Sequence, residues 1–85
     1  MLENRKEESL KRAYVLVNSL VGTEDDVLKA VRKISEVKEA CRILGLYGVI
    51  VLVEADTIQE IDDIVLSKIR SINEVQFVLK MICID

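Results

Sequence analysis

The residues of this sequence that could do chemistry are its carboxylates, its two cysteines and the groups around one glycine-containing turn. The acidic residues cluster at 24–26 and 56–63, each time at the start of an apolar helical pattern. Negative charge at a helix N-terminus is stabilised by the helix dipole, so these clusters favour helix starts over acid–base catalysis. The sequence has no histidine, which removes the commonest general base and metal ligand. We therefore expect no catalytic residue, no metal and no cofactor, and an enzyme is the least supported class.

The two cysteines, Cys41 and Cys83, have neither metal-ligand nor disulfide-framework spacing. We expect them to be reduced, buried and hydrophobic in character, as is typical of a cytoplasmic protein. No apolar run reaches the roughly 18 residues that a membrane span needs, so we expect no membrane contact. The net charge is −3, from 12 basic and 15 acidic residues. This balance argues against an independent nucleic-acid binder, which needs a clustered basic face.

The remaining candidate is the turn Gly45-Leu46-Tyr47-Gly48, with apolar runs on both sides. Glycine takes positive φ without steric cost, so two glycines at this spacing predict a hairpin turn. The same turn could hold a ligand, because a backbone without Cβ can be approached closely. Tyr47 is then either a ligand residue or an interface anchor, and the residues alone leave both interpretations open.

Hydrophobic periodicity predicts the elements that carry this turn. Residues 1–12 are dominated by charge and predict an N-terminal stub or linker, and residues 13–85 predict one domain. Strands are expected at 13–20, 37–44, 49–53 and 75–84. One helix is expected after Thr23, a plausible N-cap, and another after Thr57, which forms a capping box with Glu60.

The helices and the strands that follow them repeat each other in sequence. Residues 25–38 aligned with residues 63–76 match at seven of fourteen positions. Two such halves with right-handed crossovers predict the order β-α-β-β-α-β. The expected fold is a ferredoxin-like α+β plait, an antiparallel four-stranded sheet with two helices on one face.

The predicted strands are apolar on both faces, which requires a cover on both. Two helices cover one face, so we expect a second copy to cover the other, with a monomer that exposes its sheet as the alternative. Tyr14 and Leu16 are expected on the face opposite Val15 and Val17. In the last strand one face is expected to carry Val75, Phe77, Leu79 and Met81, and the other Val78, Ile82 and Ile84.

Four segments together resemble the effector-binding (RAM) domain of the Lrp/AsnC family. They are Ala13-Tyr14-Val15-Leu16-Val17, Ile34-Ser35-Glu36-Val37, the turn Gly45-x-Tyr47 with the strand after it, and Ile72-Asn73-Glu74-Val75. The resemblance implies homodimers packed through their sheets, as in a dimeric α/β barrel, that assemble into higher oligomers. It also implies a small, amino-acid-like effector bound between dimers, and a role in the transcriptional regulation of amino-acid metabolism. The chain lacks the family's helix-turn-helix and so is similar to stand-alone members, which do not bind DNA and can co-assemble with full-length regulators.

The resemblance further implies ligand-binding residues at Gly45, Leu46, Tyr47 and Gly48 in the turn, and at Val78 and Lys80 in the last strand. Two departures bear on the ligand. Gly48 replaces the acid of the family pattern Gly-x-Tyr-Asp, which removes a partner for an α-ammonium group. Val78 and Lys80 stand where the family has hydroxyl residues, and Lys80 favours an acidic ligand.

Three alternatives remain open at this stage. A purely structural oligomerisation protein would bind no ligand. An ACT-like amino-acid-binding module would have the same element order, with its sheets side by side instead of face to face. A small plait-type enzyme, such as a dimeric barrel oxygenase or isomerase, would need a polar cavity between its helices and its sheet.

Overall fold

The computed structural model describes residues 10–84, so most of the predicted N-terminal stub lies outside the described residues. The elements follow the predicted order β-α-β-β-α-β. The strands are β1 (Lys11–Ser19), β2 (Val37–Arg42), β3 (Val49–Ala55) and β4 (Val75–Ile82). The helices are α1 (Glu24–Arg32) and α2 (Ile58–Ile64). Helix α2 continues into a π-helical turn at Val65–Ile69. The strands form one antiparallel sheet in the order β2-β3-β1-β4. The prediction of a ferredoxin-like α+β fold is confirmed.

The two helices begin differently, although both were expected to have a threonine cap. At α2 the Thr57 hydroxyl accepts a hydrogen bond from the Glu60 amide at 3.0 Å, and the Glu60 carboxylate accepts one from the Thr57 amide at 3.2 Å. This is the predicted capping box. At α1 the Thr23 hydroxyl instead donates to the Leu20 carbonyl at 2.6 Å and makes no cap bond. Thr23 therefore occupies the cap position, but its side chain stabilises the preceding turn.

Both helices pack on one face of the sheet, here called the helix face. Alternate residues of β1 and β3 point to this face and are fully buried. Helix α1 contributes Val27 and Val31, and the second helix contributes residues from both its α and its π portions. The aliphatic core they form consists of Ala13, Val15, Val17, Val27, Val31, Val49, Val51, Val53, Ile61, Ile64, Val65 and Ile69.

Each outer strand contains one extra residue, and the two extra residues are equivalent in the internal repeat. In β2 the pairing with β3 skips Lys38, and in β4 the pairing with β1 skips Gln76. The second bulge changes one expectation. Val75 pairs with the buried Ser19 and packs against the core, so it lies on the helix face and not beside Phe77 as predicted. A β-bulge reverses the alternation of faces along its strand, and the hydrophobic pattern did not reveal it.

The second face of the sheet, here called the open face, is apolar and uncovered in the single chain. Tyr14, Phe77, Leu79 and Met81 retain 42–45% of their exposure. Cys41 is exposed and Cys83 is partly exposed, so the prediction that both are buried is wrong for one chain. Ile84, expected in the last strand, lies beyond its end and is 93% exposed. Within residues 10–84, no helix is both long and apolar enough to cross a bilayer.

One ion pair joins the two halves of the repeat. The Lys68 ammonium on the second helix lies 3.3 Å from the Glu36 carboxylate, which precedes β2. The pKa of Glu36 is lowered from its ordinary value, first by a hydrogen bond from its own backbone amide and then by Lys68. The pair is largely solvated, so we expect it to add little to stability near neutral pH.

Candidate functional site

The turn between β2 and β3 is fastened to the end of β1. The Ile43 amide donates to the Gly48 carbonyl at 3.0 Å, and the Gly48 amide donates to the Val17 carbonyl at 3.2 Å. The side-chain amide of Asn18 donates to the Leu46 carbonyl at 3.0 Å. These bonds to a central strand hold the connection between Ile43 and Gly48 in a fixed place.

The two glycines of this turn are required for different reasons. Gly45 has φ +128°, a conformation that other residues rarely adopt. Gly48 does not have positive φ, contrary to the expectation for a hairpin. A Cβ at Gly48 would lie 2.7 Å from Cγ of Glu24, in the first turn of α1. Gly48 is therefore needed for space, because the half-buried Glu24 side chain crosses it.

Tyr47 lies at the rim of the open face. Its ring packs edge-on against Phe77, with ring centroids 5.6 Å apart and planes at 83°. Phe77 pairs with Asn18, whose side chain binds the turn. Leu46, which precedes Tyr47 in the chain, has an exposed side chain, and its carbonyl accepts the bond from Asn18. The four predicted turn residues therefore form one structural unit at the end of the sheet.

The two predicted residues of β4 lie on the other side of the sheet. Val78 pairs with Val17, and Lys80 pairs with Val15, so both face the helices. The Lys80 ammonium forms an ion pair with the Asp62 carboxylate of α2. Within one chain the sheet separates these residues from the ring of Tyr47, and the two parts of the predicted site are not brought together.

A groove of about 290 Å³ lies between α2 and β4 and contains both Val78 and Lys80. The sequence did not indicate the other residues that line this groove, because they lie on a helix that changes from α to π winding after Ile64. The groove is lined by Asp62, Val65, Leu66, Arg70, Val78 and Lys80. It combines one carboxylate, two cations and three aliphatic side chains, a composition suited to a small charged ligand with an apolar part.

The space between the helices and the sheet, as far as residues 10–84 form it, is lined by aliphatic side chains. Within residues 10–84, no three potential metal-ligating side chains come together. A larger groove of about 400 Å³ lies on the open face between Tyr14, Cys41 and Leu52, where a covering sheet would fill it.

Comparison with known proteins gives a consistent result. The family model described as Lrp/AsnC ligand binding domain matches residues 12–85. A search of curated proteins finds no match.

Solved structures with similar folds include two at 36% sequence identity. FFRP-DM1 has a TM-score of 0.83, with 87% of this chain and 99% of that chain covered. The hypothetical protein PHS023 from Pyrococcus horikoshii has a TM-score of 0.82, with 88% and 90% covered. The transcriptional regulator NMB0573 from Neisseria meningitidis, solved as a complex with L-Met, shares the fold at 17% identity and a TM-score of 0.81. All of this chain aligns with 55% of that regulator.

Proposed function

The chain belongs to the Lrp/AsnC ligand-binding domain family, and on that premise we propose that it is a ligand-sensing, oligomer-forming module of transcriptional regulation. In this proposal the chain forms dimers through its sheets, which assemble further, and a small effector binds between copies. Full-length regulators of the same family are candidate partners for co-assembly, and amino-acid metabolism is the expected process.

The observation that carries the proposal is the uncovered open face. Four large apolar side chains, Tyr14, Phe77, Leu79 and Met81, are about half exposed, and the partly exposed Leu16, Ile50 and Leu52 extend this patch across β1 and β3. Monomeric proteins rarely expose a contiguous apolar patch of this kind. A second copy offers the same surface and would bury both patches, with the alignment that sheet-on-sheet packing favours.

The placement of the predicted ligand residues supports binding between copies. In the turn the Tyr47 ring lies at the rim of the open face, whereas in β4 Val78 and Lys80 lie on the helix face. One small ligand can contact both groups only if different copies supply them. The L-Met complex of the Neisseria meningitidis regulator, which shares the fold, supports an amino-acid-like effector.

Two measurements test this function on the whole chain. Sedimentation velocity at micromolar concentration should show a dimer or a larger species, and a lone 9.6 kDa species would contradict the assembly. Thermal-shift screening with the twenty amino acids should show stabilisation by at least one at millimolar concentration, because a ligand that binds only the native state raises its stability. An oligomer that no amino acid stabilises would contradict the ligand-sensing part of the proposal but not the assembly part.

That last outcome would favour a second candidate, a structural oligomerisation protein without an effector. The observation in its favour is the absence of polar side chains at Gly48 and Val78. An ACT-like side-by-side assembly is less favoured at the β2 edge. There the Arg32 guanidinium donates to the Ala40 carbonyl at 3.2 and 2.8 Å, so a strand added at this edge would have to displace it.

A further inference from the structure

The internal repeat allows each residue of the α2–β4 groove to be compared with a counterpart in the same chain. Residues 65–70 align with residues 27–32, and three of the six are identical. The first copy is α-helical through Arg32. The second winds as a π-helical turn, in which the Arg70 amide donates to the Val65 carbonyl five residues earlier at 2.8 Å.

Two serine side chains distinguish the second copy from the first at this turn. The Ser67 hydroxyl donates to the Asp63 carbonyl at 2.5 Å, and the Ser71 hydroxyl donates to the Ser67 carbonyl at 2.6 Å. Such bonds compete with backbone amides for the same carbonyls and bend helices. The first copy has Lys29 and Lys33 at these positions, which make no such bonds. Single π-helical turns within α-helices occur frequently at functional sites.

At the π-helical turn, two residues that are identical in both copies of the repeat make different contacts. Leu28 packs against the core, whereas its counterpart Leu66 is 61% exposed. Arg32 donates twice to the carbonyl of Ala40, and the counterpart of Ala40 is Val78. Arg70 does not repeat that bond. Within residues 10–84 its guanidinium has no hydrogen-bond or ion-pair partner, and it lines the groove beside Val78.

Among the described residues, the charges of the groove leave one cation, Arg70, without an ion-pair partner. Lys80 and Asp62 form an ion pair with each other, so they largely neutralise one another. Arg70 remains as a rigid, planar donor facing a wall of aliphatic side chains. A guanidinium in this setting matches a carboxylate, which it can bind through two parallel hydrogen bonds.

We propose that the α2–β4 groove binds a small ligand that carries a carboxylate beside a short aliphatic chain. Arg70 binds the carboxylate, and Leu66 and Val78 contact the chain. The inference rests on the proposed sensing function, since this ligand is the effector. It adds Arg70 and Leu66 to the half of the site that contains Val78 and Lys80.

Isothermal titration of the full chain tests the proposal with three probes that share a 3-methylbutyl skeleton. 4-Methylpentanoate and L-leucine both carry the carboxylate, whereas 3-methylbutylamine lacks it. Both carboxylates should bind and the amine should not. Tighter binding of L-leucine would identify an amino acid as the effector, and tighter binding of 4-methylpentanoate a plain acid.

Two variants then locate the bound carboxylate. Arg70→Gln should weaken the binding of both carboxylates at least roughly 10-fold, as expected for the loss of a charge-assisted hydrogen bond. Lys68→Gln, an exposed cation on the same helix outside the groove, should leave the affinity within about twofold. Leu66→Ala should weaken binding without changing the melting temperature, because this side chain is mostly exposed.

The outcomes separate this inference from the proposed function. Unchanged affinity in Arg70→Gln, or an equal loss in Lys68→Gln, would overturn the groove site while ligand sensing stands. No binding of either carboxylate to the unmodified chain would overturn the groove site. Sensing would then stand only if another amino acid stabilised the chain in the thermal-shift screen.

Discussion

The contact between Gly48 and Glu24 predicts that the substitution Gly48→Ala has opposite effects on stability in two backgrounds. It should destabilise the protein when residue 24 is glutamate and stabilise it when residue 24 is alanine. In Gly48→Ala the new Cβ would lie 2.7 Å from Cγ and 3.8 Å from Cδ of Glu24. Side-chain carbons do not approach so closely, so the Glu24 side chain must move. Overpacking typically costs about 1–3 kcal/mol, and the lower end applies because Glu24 is only half buried and can rotate.

A second effect of the same substitution has the opposite sign. Gly48 does not have positive φ, so alanine fits its backbone. Replacing glycine by alanine at such a position stabilises a protein by about 0.4–1 kcal/mol, because it reduces the conformational entropy of the unfolded chain. We therefore expect Gly48→Ala to destabilise the native protein by about 1 kcal/mol, and to stabilise the Glu24→Ala variant by about 0.5 kcal/mol. The coupling is then about 1.5 kcal/mol.

Urea denaturation of the four proteins of this double-mutant cycle measures the coupling, at one fixed protein concentration because the chain is expected to associate. The helix-dipole contribution of Glu24 is the same whether residue 48 is glycine or alanine, so it cancels in the cycle. Gly45→Ala is the matched control. It has φ +128° and open space around its Cβ position, so it should cost about 1 kcal/mol whether residue 24 is glutamate or alanine. An equal loss for Gly48→Ala in both backgrounds would refute the reasoning.

Three further predictions follow from other contacts. Thr57→Ala should lower the free energy of unfolding by about 1 kcal/mol and Thr23→Ala by clearly less, as measured by urea denaturation, since only Thr57 caps its helix. Because the pKa of Glu36 is lower in the folded than in the unfolded chain, Glu36 should add stability above its unfolded pKa, and this stability should be lost as the pH falls through its folded pKa. In the variant Glu36→Gln, the free energy of unfolding should therefore fall less steeply with decreasing pH at the acid end of a stability–pH curve. An unchanged slope at that end would show that neither the backbone hydrogen bond to Glu36 nor its pair with Lys68 affects folding. Leu79→Glu on the open face should reduce the sedimenting species to 9.6 kDa with an unchanged circular dichroism spectrum, and a persistent oligomer would contradict packing through this face.

Local sequence patterns were sufficient to predict the element order and the capping box at Thr57. Both depend on residues within a few positions of each other, such as Thr57 with Glu60. The alternation of Val15 and Val17 with Tyr14 and Leu16 likewise identified the two faces of β1, because the period of a strand is a local property.

What the sequence did not reveal depends on contacts between distant residues. The face of Val75 depends on a bulge that exists only through pairing with β1. The role of Gly48 depends on Glu24, 24 residues earlier in the chain, and the opposite placement of Tyr47 and Lys80 depends on the path of the turn. A hydrophobic pattern carries no information about such contacts.

The paired bulges at Lys38 and Gln76 have a consequence for how copies meet. A bulge increases the right-handed twist of its strand, and here both margins of the sheet are bent at equivalent points of the repeat. If two copies pack through the open face as proposed, their contact must follow a sheet that is bent at both margins, which restricts the angles at which the two sheets can pack. We therefore expect a related chain without the same two bulges to pack less closely against this face than a second copy does.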